Sequence, residues 1–223
     1  MVFPAQSLQR RLAGGVALLA LVLLLVACGG GSNGTKSGST SNDTTANPIK
    51  QMVPTMAATA TSTAMTDKMG LTKTYTGAGY TIMYPADWKL TTSNTETAFT
   101  DPGGNYNLTI GSTANPDGVK TSEELAEGGI TGAKVNLKNV ETVNIASTTM
   151  VGGQDWSQRS ISGTSTLNGQ SSDVKAVVLA NNHPTRSTET KGYVIVYVAA
   201  KDKFDDAQTK YFQPMLESFK YTA

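Results

Sequence analysis

The sequence predicts an α+β fold: an antiparallel β-sheet flanked by helices, an α/β/α sandwich. Three observations carry this reading. Several segments between residues 80 and 179 alternate apolar and polar residues, the period of a strand with one buried face. Tyr193-Val194-Ile195-Val196-Tyr197-Val198 is nearly all apolar and β-branched, which marks a central strand covered on both faces. Helix signals stand before and after these strands, at Thr121-Ser122-Glu123-Glu124 and at Phe204, Ala207, Gln208, Tyr211 and Met215. Helices at both ends of a run of antiparallel strands can cover both faces of one sheet.

The N-terminal residues 1–27 read as a lipoprotein signal peptide that is removed. Arg10 and Arg11 supply the charged region, and Leu12 to Val26 the apolar region. No acidic residue precedes Asp43, so the positive charge stays on the inner side. The apolar run falls short of the ~20 residues that a spanning helix needs. Leu25-Val26-Ala27-Cys28 then reads as a lipobox, with Gly29, Gly30 and Gly31 directly behind it. Cys28 is the only cysteine of the chain, so no internal disulfide can form. A free thiol would be a liability in an oxidising compartment, and acylation removes it. The pattern resembles bacterial lipoprotein signals, whose cysteine carries a thioether-linked diacylglycerol and often an amide-linked acyl chain. One acyl chain binds a membrane only marginally; two or three make the attachment durable.

Residues 28–72 read as the lipidated cysteine and a disordered tether. The stretch is Gly, Ser, Thr, Asn and Ala without aromatics, as in Ala57-Ala58-Thr59-Ala60-Thr61-Ser62-Thr63-Ala64. Such a composition cannot bury enough apolar surface to offset its ordering entropy. As a flexible coil it would reach roughly 35 Å root-mean-square.

Residues 73–223 read as one folded domain, large enough for one core. Lys plus Arg number 18 and Asp plus Glu 17. Loss of Arg10 and Arg11 with the signal leaves 16 against 17, a net charge near −1. That balance gives no case for nucleic acid and none for a polybasic membrane patch.

Within this domain Tyr80 to Tyr84 alternates, Pro85 ends the strand, and Pro85-Ala86-Asp87 turns into Trp88-Lys89-Leu90. Thr97 to Thr100 is a short strand closed by Asp101-Pro102-Gly103-Gly104. Tyr106 to Ile110 alternates again. The helix begun at Thr121 is expected to be short, because Gly128-Gly129 follows. Val135 to Ile145 reads as a looser strand region. Thr148 to Val151 and Gln154 to Ile161 form a hairpin about Gly152-Gly153. Ser172 to Leu179 places Val174, Ala176 and Val178 on one face, and Asn181 to Lys191 reads as a polar loop. The last helix is read as capped by Asp202 and kinked or divided at Pro214, with Phe219 and Tyr221 packed behind it.

Gly79-Tyr80-Thr81-Ile82-Met83-Tyr84-Pro85-Ala86-Asp87-Trp88 resembles the opening strand-turn of the PsbP-like family, G-[YF]-x-[IF]-x-Y-P-x-x-W. Gly192 to Ala199, Phe204, and Tyr211 to Lys220 resemble that family's closing strand and helix with its terminal S-F-[KR]. The resemblance implies an antiparallel sheet with helices on both faces. It also implies that the Tyr-Pro turn and Trp88 pin a sheet corner to a helix, and that Ser218-Phe219 seats the last helix. The family includes an extrinsic photosystem II subunit, a small Ran-binding nuclear protein and many exported lipoproteins, mostly binding or accessory proteins.

Candidate catalytic residues are few. His183 is the only histidine and reads as an exposed loop residue; it cannot make a metal cluster alone. Ser187 and Asp173 lie near it in sequence, but no G-x-S-x-G accompanies them. Glu123-Glu124 and Asp205-Asp206 sit in first turns of predicted helices, where the dipole favours negative charge. Asn115-Pro116-Asp117-Gly118 begins like a calcium loop but lacks the later ligands. Trp88 and Trp156 read as core or corner residues. No catalytic residue, cofactor or metal ligand is therefore assigned, and Cys28 is the one site residue, for lipid attachment.

The expectation is a non-enzymatic binding or accessory module, held at the outer, extracytoplasmic face of a cell membrane by Cys28. Its partner would be an envelope protein or a small ligand. A hydrolase with an unrecognised carboxylate or hydroxyl site, and a carboxylate-based metal accessory protein, stay open as alternatives.

Overall fold

A computed structural model of the chain describes residues 70–77, 79–167 and 170–222. The signal segment, Cys28 and the tether as far as residue 69 lie outside the described residues. The strands are β1 (Leu71–Gly77), β2 (Tyr80–Pro85), β3 (Lys89–Thr92), β4 (Glu96–Thr100), β5 (Tyr106–Ala114), β6 (Leu137–Thr142), β7 (Thr148–Val151), β8 (Gln154–Leu167), β9 (Gln170–His183), β10 (Lys191–Ala200) and β11 (Lys220–Tyr221). The helices are α1 (Ser122–Lys134), α2 (Phe204–Ala207) and α3 (Gln213–Ser218).

All pairings are antiparallel. The large sheet runs β3-β4-β5-β10-β9-β8-β6, with β7 beside β6 along the outer edge of β8. A small sheet, β1-β2-β11, is separate. The fold is α+β, with helices on both faces of the large sheet.

The alternation of β9 and β10 sets the layers. Val174, Ala176, Val178 and Ala180 with Val194 and Val196 meet Leu125, Ala126, Ile130 and Ala133 of α1. Their neighbours Val177, Leu179, Tyr193, Ile195 and Tyr197 face the other way, into a core with Phe204, Phe212 and Met215. Tyr80, Ile82 and Tyr84 of the small sheet close that second core. The strand expected to be covered on both faces, Tyr193 to Val198, is so covered.

The corner motif acts as expected. The Trp88 N–H donates to Pro85 O at 3.2 Å, closing the turn. The Trp88 ring lies 5.4 Å from that of Tyr211 and 6.4 Å from that of Phe212. Ser218 Oγ accepts from the Met83 N–H at 2.8 Å and donates to Met215 O at 2.6 Å, seating the last helix on β2.

Four local expectations need correction. The described fold starts earlier than residue 73: Leu71 is buried and β1 pairs with β2. The helix from Thr121 is not short but runs 13 residues through Gly128-Gly129. Gly129 is where α1 presses on the sheet; a Cβ there would stand 2.6 Å from Val178 Cγ1 and 3.1 Å from Val194 Cγ1. The polar loop is shorter than expected, because β9 continues to His183 and pairs it with Lys191. Asp202 is not a cap; it lies in a 3₁₀ turn, Lys201–Lys203, that leads straight into α2. Beyond α2 the helix widens into a π turn, Gln208–Phe212, before Pro214 enters α3. There the Gln213 N–H reaches back to Gln208 O, so the run is divided next to the proline rather than broken.

The two adjacent glycines of α1 predict opposite outcomes. Gly128 faces open space, so Gly128→Ala is expected to stabilise by about 0.5–1 kcal/mol through helix preference. Gly129→Ala meets Val178, which is stiff at χ1, and overpacking costs about 1–3 kcal/mol. Thermal melts of the two variants check this: Tm rises for the first and falls for the second.

Candidate functional site

α1 owes its start to a reciprocal cap. Thr121 Oγ1 accepts from the Glu124 N–H at 3.2 Å, and Glu124 Oε2 accepts from the Thr121 N–H at 2.7 Å. These bonds hold the Glu124 carboxyl below the usual carboxylate range. The acidic pair is thus split. Glu124 caps the helix, while Glu123 turns toward the sheet with Glu127, one helical turn on.

Both meet Arg159 of β8. Arg159 shares the face of Ile161, the side that α1 covers. Its Nη2 donates to Glu123 Oε1, its Nε to Glu127 Oε1 at 2.6 Å, and its Nη1 to Gln158 O at 2.9 Å. The Glu127 hydrogen bond leads in raising the guanidinium pKa. With 24% of the Arg159 side chain exposed, against 69% and 57% for the glutamates, this is a surface network; it adds little to stability and much to position.

The guanidinium lies at one end of a cleft of about 540 Å³ between α1 and the outer edge of β8. Ile130, Ile161 and Val143 give it apolar surface, and Lys134 lines it from the far end of α1. That volume lies within the ~300–1,000 Å³ of ligand pockets.

The residues singled out in the sequence do not converge there. His183 and Asp173 both belong to β9, about 33 Å apart at the rise of an extended strand. Asp173 Oδ1 accepts from Thr164 Oγ1 at 2.9 Å, and Ser187 Oγ accepts from the Glu189 N–H at 3.1 Å. A Ser-His-Asp relay is not assembled from these three. His183 is not an exposed loop residue: it ends a strand, half-buried, its ring parallel to Tyr221 at 3.8 Å. Burial lowers its pKa.

Asp205 Oδ1 lies 3.7 Å from Lys175 Nζ, and Asp206 is exposed. Asn115 is a structural plug. Its Nδ2 donates to Lys120 O and Asn182 Oδ1, both at 2.8 Å, and its Oδ1 accepts from the Lys120 N–H at 3.0 Å. Among the described residues no three His, Cys, Asp or Glu side chains gather where they could hold a metal. Trp88 and Trp156 are buried in the core, as expected. Cys28 lies outside the described residues.

The sequence reading missed Arg159 and the cleft. The signal was present in part: Glu123 and Glu127 are four apart on one helix face, and Arg159 is a lone cation inside a strand. What it lacked was the pairing that sets β8 beneath that face.

No family model matches the chain, and no curated protein matches it. Solved structures to which it is similar include a protein of Bacteroides thetaiotaomicron, at 11% identity and a TM-score of 0.43, over 70% of this chain and 49% of that one. LpqN of Mycobacterium tuberculosis, described as involved in cell envelope biogenesis, matches at 17% identity and a TM-score of 0.41, over 65% and 83%. The immunity protein TplEi of Pseudomonas aeruginosa matches at 11% identity and a TM-score of 0.38, over 66% and 47%. The chain spans about half the length of the first and third of these. Likenesses of this depth say nothing of what the chain binds.

The cap predicts a titration. Glu124 is expected to titrate below the ordinary carboxylate midpoint, and Thr121→Ala to raise it only part of the way, because the backbone N–H that Glu124 Oε2 accepts survives the change, as read by carboxyl-carbon NMR. A lowered folded-state pKa means that the stabilisation is present at neutral pH and lost as pH falls through that value. A Glu124 midpoint at or above the ordinary carboxylate value in the native chain would refute the assignment.

Proposed function

We propose that this chain is a lipid-anchored, extracytoplasmic binding or accessory module without catalytic activity of its own. The observation that carries the reading is Leu25-Val26-Ala27-Cys28 at the end of an export signal. Its thiol suits thioether formation, since the thiolate is a soft nucleophile. Among the described residues no helix is long and apolar enough to cross a membrane. Durable attachment would then come from the acyl chains at Cys28.

The cleft beside Arg159 supports the binding half of this reading. We also keep the PsbP-like kinship as part of this proposal. The α+β sandwich is the fold which that resemblance implied, and its two end motifs do the packing expected of them.

The test is Cys28→Ser. Cells fed labelled palmitate are expected to label the native chain and not the variant, which accumulates unprocessed or leaves the membrane fraction. Equal labelling, or undiminished membrane retention of the variant, would overturn the anchor. Hydrolytic turnover by the purified native chain that vanishes in Arg159→Gln would overturn the non-enzymatic half.

A further inference from the structure

Along the outer edge of β8 the pairing partner changes. β6 pairs as far as Thr142 with Ile161, and β7 takes over at Thr148 with Ser157. Between them Val143 to Ser147 must span only Gln158 to Ser160, so the loop stands away from the sheet. It is nonetheless held. The Val143 N–H donates to Ser160 O at 2.9 Å, and Ser147 O accepts from the Gln158 N–H at 2.7 Å. Ile145 packs against the larger core, tying the loop at its middle.

Within this tied loop, the backbone N–H and C=O groups of Asn144, Ile145 and Ala146 have no hydrogen-bond partner among the described residues. Consecutive unpaired peptide groups at a sheet edge are a template for another extended chain. A loop fixed beforehand also saves the ordering cost that a free loop would bring to binding.

The rest of the cleft narrows the guest. Glu127, Arg159 and Lys134 line the cleft, and Glu123, outside the lining, pairs with Arg159, so the four charges cancel and favour an uncharged guest. Arg159 has three of its N–H groups engaged, leaving two of the five for a guest carbonyl. Val143, half-buried, and the edge of Ile130 supply apolar surface.

We propose that this cleft takes a short, uncharged, extended peptide segment of a partner protein. Its backbone pairs with Asn144 to Ala146, a carbonyl meets Arg159, and a branched apolar side chain sits between Ile130 and Val143. This deepens the binding-module reading and rests on it for the existence of a partner.

The probe is N-acetyl-Thr-Val-Thr-Val-amide, titrated into the isotope-labelled full chain in detergent micelles and followed by NMR. Saturable shifts at Val143 to Ser147, Gln158 to Ser160 and Arg159 Nε are expected, with a Kd of about 1 mM, the weak end of the affinity scale. The double variant Asn144→Pro, Ala146→Pro removes two N–H donors at exposed positions and is expected to weaken binding about tenfold. Arg159→Gln, a second and independent variant, is expected to weaken it as well. Absent shifts, shifts elsewhere, equal binding of tetraglutamate or tetralysine amides, or full affinity in both variants would overturn the proposal. Running Cys28→Ser in parallel separates the two ideas: a failed anchor shows in palmitate labelling alone, and a failed cleft in the shifts alone.

Discussion

The structure depends on two strands, β9 and β10, that are apolar on both faces. From Val174 to Ala180 every residue but Lys175 is buried, and from Gly192 to Tyr197 every one is. Such strands cannot lie at an edge or against water, so they need a layer on each side. α1 supplies one layer. The helical run from Phe204 to Ser218, with the small sheet, supplies the other. The two layers differ in kind. The α1 side is built from Ala, Val, Leu and Ile, and glycines let the backbones approach: Gly129 against Val178, and Gly192 beneath Leu125. The opposite side is thick with rings, from Trp88 and Phe99 to Trp156 and Phe219, because a second sheet and a helix stand further off and the space must be filled.

One helix is too narrow for this sheet. α1 packs on β8, β9 and β10 and touches β6. Beyond β10, the same face carries polar side chains instead, and they satisfy each other. Thr109 Oγ1 donates to Asn107 Oδ1 at 2.9 Å, and Asn107 Nδ2 to Thr100 Oγ1 at 3.0 Å. The strands therefore change character across the sheet, from two apolar faces to one, in step with the cover they receive. At the other flank of α1 the polar groups are charged, and Arg159 bridges from sheet to helix. The cleft follows from that: it is the space left where the helix ends its cover and the edge strand is interrupted.

Much of this was legible in the sequence because it is written in local period. The β7–β8 hairpin could be read from Gly152-Gly153, and both residues have the positive φ, 56° and 80°, that a two-residue hairpin turn needs. The opening and closing motifs could be read because Tyr-Pro, Trp88 and Ser218-Phe219 carry their own geometry. What failed was judged on local grounds but decided by tertiary contact. Gly128-Gly129 signals a helix end, yet Gly129 is demanded by Val178 across the interface. Asn181 to His183 is polar enough for a loop, yet β10 offers it a ladder and Tyr221 a stacking partner. The Arg159 cleft was illegible for the same reason: its walls come from α1, the β6–β7 loop and β8, which no sequence window holds together.

The proposed anchor and the proposed cleft bear on each other energetically. A shallow, uncharged cleft pairing a few peptide groups cannot bind tightly, since the ordering and association costs consume most of the contact energy. In free solution such a site would be idle. Two molecules confined to one membrane surface meet at an effective concentration that reaches the millimolar range for short connections, enough to fill a site of that strength. Confinement also removes the need for long-range charge steering, which agrees with a net charge near −1 once the signal is gone. On these two proposals, weak recognition at the cleft and attachment through acyl chains would be two halves of one arrangement, with the membrane supplying the affinity and the cleft the choice of partner.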